Sequence, residues 1–136
     1  MSDVNWRELK KITIPAKPVG VWTVACEYLT ATRKLKIEAE GTWSYGQDLS
    51  CSPDGDVGSP RSCEKCLSNQ APIGALIGKL GGSSAGIKDT VITIGRFCVI
   101  ELTEAAKGPL FLTINDEPAG LSDNTGEVTV HIYSAP

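Results

Sequence analysis

Ten residues near the C-terminal end, 115 to 124, carry Asn115, Asp116, Glu117, Asp123 and Asn124, interrupted by Pro118 and Gly120. All five of those side chains end in hard oxygen atoms. Calcium takes about 6 to 8 oxygens from carboxylates, amides, backbone carbonyls and water, and it tolerates irregular geometry. Pro118 and Gly120 bend the backbone so that several of these oxygens could converge, and the apolar runs "PLFLTI" and "EVTVHI" on either side would hold the ends. The same residue types are also the default turn formers, so the composition fits a plain solvated turn as well as a cation site. The spacing is not that of an EF-hand, which needs a regular Asp/Asn alternation and a closing Glu.

The second group able to do chemistry is the thiol set Cys51, Cys63 and Cys66, spaced C-x11-C-x2-C. It could bind zinc if a fourth ligand joined it, or close a disulfide in an oxidising setting. No second CxxC accompanies it. The remaining two of the five cysteines, Cys26 and Cys98, lie in apolar runs and read as small buried hydrophobes. "GSSAG" at 82 to 86 matches G-x-S-x-G around Ser84, with His131 downstream, but the residues after Ser84 read as loop and strand and not as the helix that a nucleophile elbow requires. Asp54, Gly55 and Asp56 read as a turn. Trp22 and Trp43 read as core, and Trp6 as an anchor for the first segment or for another subunit.

The elements that must position these groups alternate with period two. Leu35, Ile37 and Ala39 alternate with charged residues, and Val128, Val130 and Ile132 alternate with Thr129 and His131, the pattern of half-buried strands. Further strands are expected in "KITIPA", "GVWTVACEYL", "IGALIGKL", "TVITIGRF", "CVIELT" and "GPLFLTI". Roughly seven or eight short strands predict an all-β antiparallel sandwich. "DVNWRELKK" and "LTEAAK" could each hold a turn or two of helix, too short for a parallel crossover. Residues 46 to 72 form a long Gly-, Ser-, Pro- and Asp-rich loop expected to lie outside the core.

The chain has 136 residues, which suits one domain spanning 1–136. A formal charge of −3 with both signs interspersed leaves no basic footprint for nucleic acid. No run approaches the roughly 18 apolar residues of a membrane span. The charged N-terminus does not read as a secretory signal, so synthesis in the cytoplasm is expected, with any release by another route.

"GTWSYG" (41 to 46), "APIGALIGKLG" (71 to 81) and "GPLFLTINDEPAGLSDNTGEVTVHI" (108 to 132) together resemble the bacterial PA-IL-like galactophilic lectins and related galactose-binding-like domains. The resemblance implies a small antiparallel jelly-roll β-sandwich with Ca2+ at one end. It implies side-chain ligands Asp116, Asp123 and Asn124 and carbonyl ligands Tyr45 and Gly120, with Asp116, Glu117, Gly120 and Asp123 beside the sugar. Asp123 stands where the best-known member has Asn, which adds a carboxylate. Galactose binders of the family place a His and a Gln in the long loop; this loop has no His, and Gln70 or Asn69 could take the place.

The function expected is therefore calcium-dependent binding of carbohydrate, galactose-like or another glycan, without catalysis. The alternative is an adaptor module of the same fold that binds a protein partner. Either could act as a homo-oligomer, which would compensate for weak single sites.

Overall fold

A computed structural model of the protein describes residues 5–18, 21–26, 34–46, 49–56, 66–68, 70–80, 91–102 and 109–135. Nine strands lie among them: β1 (Arg7–Pro15), β2 (Thr23–Cys26), β3 (Lys34–Gly46), β4 (Leu49–Cys51), β5 (Leu76–Leu80), β6 (Val91–Thr93), β7 (Phe97–Glu101), β8 (Leu110–Ile114) and β9 (Thr125–Ala135). They form two antiparallel sheets. One has the order β1-β9-β3-β4 with β7 also on β3, and the other has the order β2-β8-β5-β6. Among the described residues no helix is long and apolar enough to cross a membrane.

The period-two residues build the core. Leu35 and Ile37 on β3, Val128, Val130 and Ile132 on β9, and Leu110, Leu112 and Ile114 on β8 are each at most 1% exposed. They face inward from the two sheets as one cluster with Ile14, Trp43 and Leu76. Each such side chain contributes roughly 1.5–3 kcal/mol by leaving water, so the interior facing is strongly specified and a one-residue slip of register is excluded.

Four expectations are corrected. "DVNWRELKK" supplies the start of β1 and not a helix, because Arg7 to Pro15 pair with β9 along its length; pairing on a sheet edge outweighs the helix preference of a segment too short to be helical alone. The 46–72 stretch does not lie wholly outside the core, since it contains β4 and buries Cys66 and Ser68 at 1% and 4% exposure. Cys26 and Cys98 are half-buried and not enclosed. Trp22 is also only half-buried, and its ring lies 4.5 Å from the Lys79 ammonium, on the outer face of its sheet. Trp43 is in the core as expected, and Trp6 is joined to the sheet by the Lys36 ammonium, 5.2 Å from its ring. Most of "LTEAAK" and all of "GSSAG" lie outside the described residues.

β3 is the longest strand because both of its edges are used. β9 pairs with it from Lys34 to Ser44 on one side, while β7 takes Lys34 to Glu38 and β4 takes Trp43 to Gly46 on the other.

Candidate functional site

Pairing registers place the acidic turn against a distant strand end. Ser44 of β3 is opposite Thr125 of β9. Tyr45 follows Ser44 on β3, and Asn124 directly precedes β9. Asp116 follows β8, in the other sheet, and the turn returns through a 3-10 helix, Pro118–Asp123, whose N-cap is Glu117 and whose C-cap is Asn124. The site therefore forms where the end of β3, the end of β8 and the start of β9 meet at one end of the sandwich.

Two side chains there are buried and polar: Asp116 is 5% exposed and Asn124 is 1% exposed. Asn124 donates its Nδ2 to the Ala16 carbonyl at 3.0 Å, which fixes the amide plane. Asp116 accepts the Glu117 backbone N–H at 2.8 Å through Oδ1. Their other oxygens, Asp116 Oδ2 and Asn124 Oδ1, are buried without a hydrogen-bond partner. Burial pushes the Asp116 carboxyl above the usual carboxylate range, opposed by the Glu117 N–H and the Asn124 amide and reinforced by the Asp123 and Glu117 charges. Asp123 is exposed at the end of the 3-10 helix, and its Oδ2 would stand 3.9 Å from a Cβ placed on Gly46. Gly120 lies within the same 3-10 helix. Tyr45, Asp116, Asp123 and Asn124 are thus brought to one end of the fold, with Glu117 half-buried beside them.

Buried acceptors left without donors are costly, about 1–3 kcal/mol each and more when charged. A cation at these oxygens would remove that cost. Among the described residues no three His, Cys, Asp or Glu side chains converge, so a cation here would draw on two carboxylates completed by amide and carbonyl oxygens. That is a hard-oxygen set suited to Ca2+ and unsuited to zinc.

Asn115, by its sequence one more turn residue, has a different task. Its side chain is fully buried. Nδ2 donates to the carbonyls of Ser68, Ala71 and Pro72 at 3.0, 3.0 and 3.1 Å, and Oδ1 accepts the Ser68 N–H at 2.9 Å. Leu67 N–H adds a bond to the Asp116 carbonyl at 3.2 Å. Leu67, Ser68, Ala71 and Pro72 are so stapled to the strand end that carries Asp116. Tyr45 is oriented in the same way, donating its hydroxyl to Asp56; burial and that carboxylate push the phenol up to about 12. Nothing in the local sequence announces either contact, because both partners are remote in the chain.

Of the two readings open for the thiols, zinc or a disulfide, a disulfide is present at Cys66. Cys66 is disulfide-bonded and so offers no thiolate to a metal, which overturns the three-cysteine zinc set. Cys63 lies outside the described residues. Cys51 keeps its thiol, which donates to the Gly74 carbonyl at 3.6 Å, and burial pushes its pKa up to about 11. Gly74 O also accepts Trp43 Nε1 at 2.7 Å. These groups hold the site from behind. The turn expected at Asp54, Gly55 and Asp56 lies one to two residues earlier, at Ser52 to Gly55, closed by Gly55 N–H donating to Ser52 O at 2.9 Å, while Asp54 bridges Ala75 and Asp56 N–H donates to Ile73 O at 2.8 Å. Gln70 is exposed, and Asn69 lies outside the described residues.

Two antiparallel sheets with a polar site built on their strand ends define a β-sandwich binding module. Within that class the chain matches the family described as "PA-IL-like protein" over residues 24–135 and belongs to the PA-IL-like lectin family. Among solved structures it is similar to one described as "EclA N-terminal domain; PllA-like lectin", at 22% identity and a TM-score of 0.67, with 93% of this chain and 97% of that chain covered. At that identity the likeness is one of fold. No curated protein matches the chain. Family membership indicates carbohydrate binding and points to a protein without catalytic activity.

Proposed function

We propose that the chain is a calcium-dependent lectin, with Ca2+ held by the side chains of Asp116, Asp123 and Asn124 and by the carbonyls of Tyr45 and Gly120. One observation carries this reading: Asp116 Oδ2 and Asn124 Oδ1 are both buried and both lack a donor. Buried polar atoms are ordinarily paired, and an exception calls for a cause such as an ion. When bound, Ca2+ would supply open coordination positions for two neighbouring hydroxyls of a pyranose. Asp116 and Asp123 have carboxylate oxygens to take up the hydroxyl protons, while Asn124 is kept in orientation by Ala16 and cannot turn its amide group away. The exposed side of the site, at Asp123 and Glu117, is where a sugar would enter.

The loop that carries a His in galactose binders of the family has none here, and the single His of the chain, His131, is on β9 beside Glu8 and Glu40. Galactose is thus one candidate among pyranoses with suitably placed hydroxyls. A glycan array read with calcium and again with chelator tests the proposal. Signal that chelator abolishes is expected, and it should be absent in Asp123→Ala. Calcium stabilisation with a silent array would instead support the adaptor reading, in which the same fold binds a protein.

A further inference from the structure

Strands β7 and β4 share one edge of β3 but do not meet. β7 begins, at Phe97, opposite Glu38 and β4 ends, at Cys51, opposite Trp43, so that among the described residues no strand covers residues 39–42 of that edge. The turn before β7 reaches in, where Arg96 O accepts the Ala39 N–H at 2.9 Å. A pocket of about 640 Å³ opens beside this gap, lined by residues of β3, by the turn before β7 and, from β9, by His131 and Tyr133. That size suits a ligand of one or two small rings.

Its lining is specific in three respects. Glu38, Glu40 and Asp54 bring three carboxylates against the single guanidinium of Arg96. Asp54 is partly used, since its Oδ1 accepts the Arg96 backbone N–H at 2.9 Å, whereas Glu40 has a side chain 75% exposed and, among the described residues, meets the His131 ring at 3.6 Å. Glu38 already meets the Lys36 ammonium at 3.6 Å, so Glu40 is the carboxylate with most room for a ligand cation. Second, Phe97 forms one wall and is 60% exposed, an apolar flat face of the kind on which a sugar ring lays its C–H side. Third, the face already holds an ammonium in just this manner. Lys36 Nζ lies 4.5 Å from the Tyr133 ring centroid and 3.6 Å from Glu38 Oε1. A ligand ammonium near Glu40 and Phe97 would repeat that arrangement, with Arg96 donating to ligand oxygens.

We infer that this pocket is a second glycan subsite, one that selects a hexosamine with a free amino group through Glu38, Glu40, Arg96 and Phe97. The charge preference comes from the pocket alone; the sugar body rests on the carbohydrate-binding reading of the family. The subsite uses no residue of the Asp116 cluster, so it is independent of the cation.

A backbone-amide NMR titration of labelled protein with glucosamine, glucose, N-acetylglucosamine and lysine amide, each with calcium and with chelator at neutral pH, tests it. Glucosamine should shift the resonances of Arg96, Phe97 and His131 and bind roughly five- to tenfold more tightly than either neutral sugar, as expected for one or two partly exposed charge pairs. Chelator should leave this unchanged. Glu40→Gln should reduce the preference, and Phe97→Ser should weaken all the sugars; both positions are on the surface, so both variants should fold. Equal affinity for the three sugars, shifts confined to the Asp116 region, or loss on adding chelator would each overturn the subsite. Lysine amide binding as tightly as glucosamine would overturn its selection of a sugar. A silent calcium titration with the glucosamine shifts intact would reject the cation site and leave this one standing.

Discussion

Asp116 is the residue on which the site's energetics turn. In the metal-free protein it keeps a carboxylate 5% exposed, with one oxygen lacking a donor, a state that costs stability until a cation arrives. Asp116→Asn keeps the shape and removes the charge. The metal-free variant is expected to match or exceed the parent by about 1 kcal/mol in urea unfolding, while losing any rise in melting temperature on adding calcium. Loss of stability in the metal-free variant would show that the carboxylate is satisfied without metal. A second residue, Cys51, is expected to be inert. With its thiol pushed from 9.0 to about 11 by burial, Cys51 has a far smaller thiolate fraction than a free cysteine at pH 8. Alkylation there should run at least about a hundredfold slower than for an unfolded control and accelerate with rising pH. The linked stability has a definite sign. Between pH 9 and about 11 an unfolded chain releases the Cys51 proton that the native chain retains, so native stability falls as pH rises through that window. Peptide mapping after a timed iodoacetamide pulse reads the rate at Cys51 apart from the other thiols.

At the scale of elements, the turn does not hold itself. Asn115 joins the end of β8 to residues 68–72 by four hydrogen bonds, and Asn115→Ala would leave three carbonyls and an amide without that partner. The expected cost is about 3 kcal/mol in urea unfolding, together with weaker calcium binding because Asp116 is the next residue. A cost under about 1 kcal/mol would mean that water replaces the staple. Gly74 is similarly fixed: its φ of 86° belongs to the left-handed region, and a Cβ there would collide with Cys51 Sγ. Such contacts explain what can be read from the chain and what cannot. The strands around Leu35 to Ala39 and Val128 to Ile132 are legible because a half-buried strand writes period two directly into the sequence. The proposed calcium ligands are legible as a cluster because most lie within ten residues, and Tyr45 joins them only through resemblance to a family. Asn115's partners, the Tyr45 to Asp56 bond and the half-burial of Cys26, Cys98 and Trp22 are not legible, since each depends on which strand ends up beside which. The start of β1 reads as helix for the same reason, its register with β9 being a tertiary fact.

Taken whole, the molecule is a sandwich whose longest strand serves both sites. β3 ends at Tyr45 and Gly46 beside the oxygen cluster, and its middle, at Glu38 and Glu40, lines the pocket together with His131 and Tyr133 of β9. The fully buried cluster of Leu35, Ile37, Leu112, Ile114, Val130 and Ile132 clamps the sheets from which both are built, so the oxygens that would receive a cation are held in place before it binds. The disulfide at Cys66 adds a covalent tie one residue from Leu67, whose N–H bonds the Asp116 carbonyl. The decisive measurement is a calorimetric titration of calcium into metal-stripped protein, run beside Asp116→Asn. One ion per chain should bind to the parent, with binding lost in the variant. No binding heat in either at several temperatures, or equal binding in both, would contradict the account.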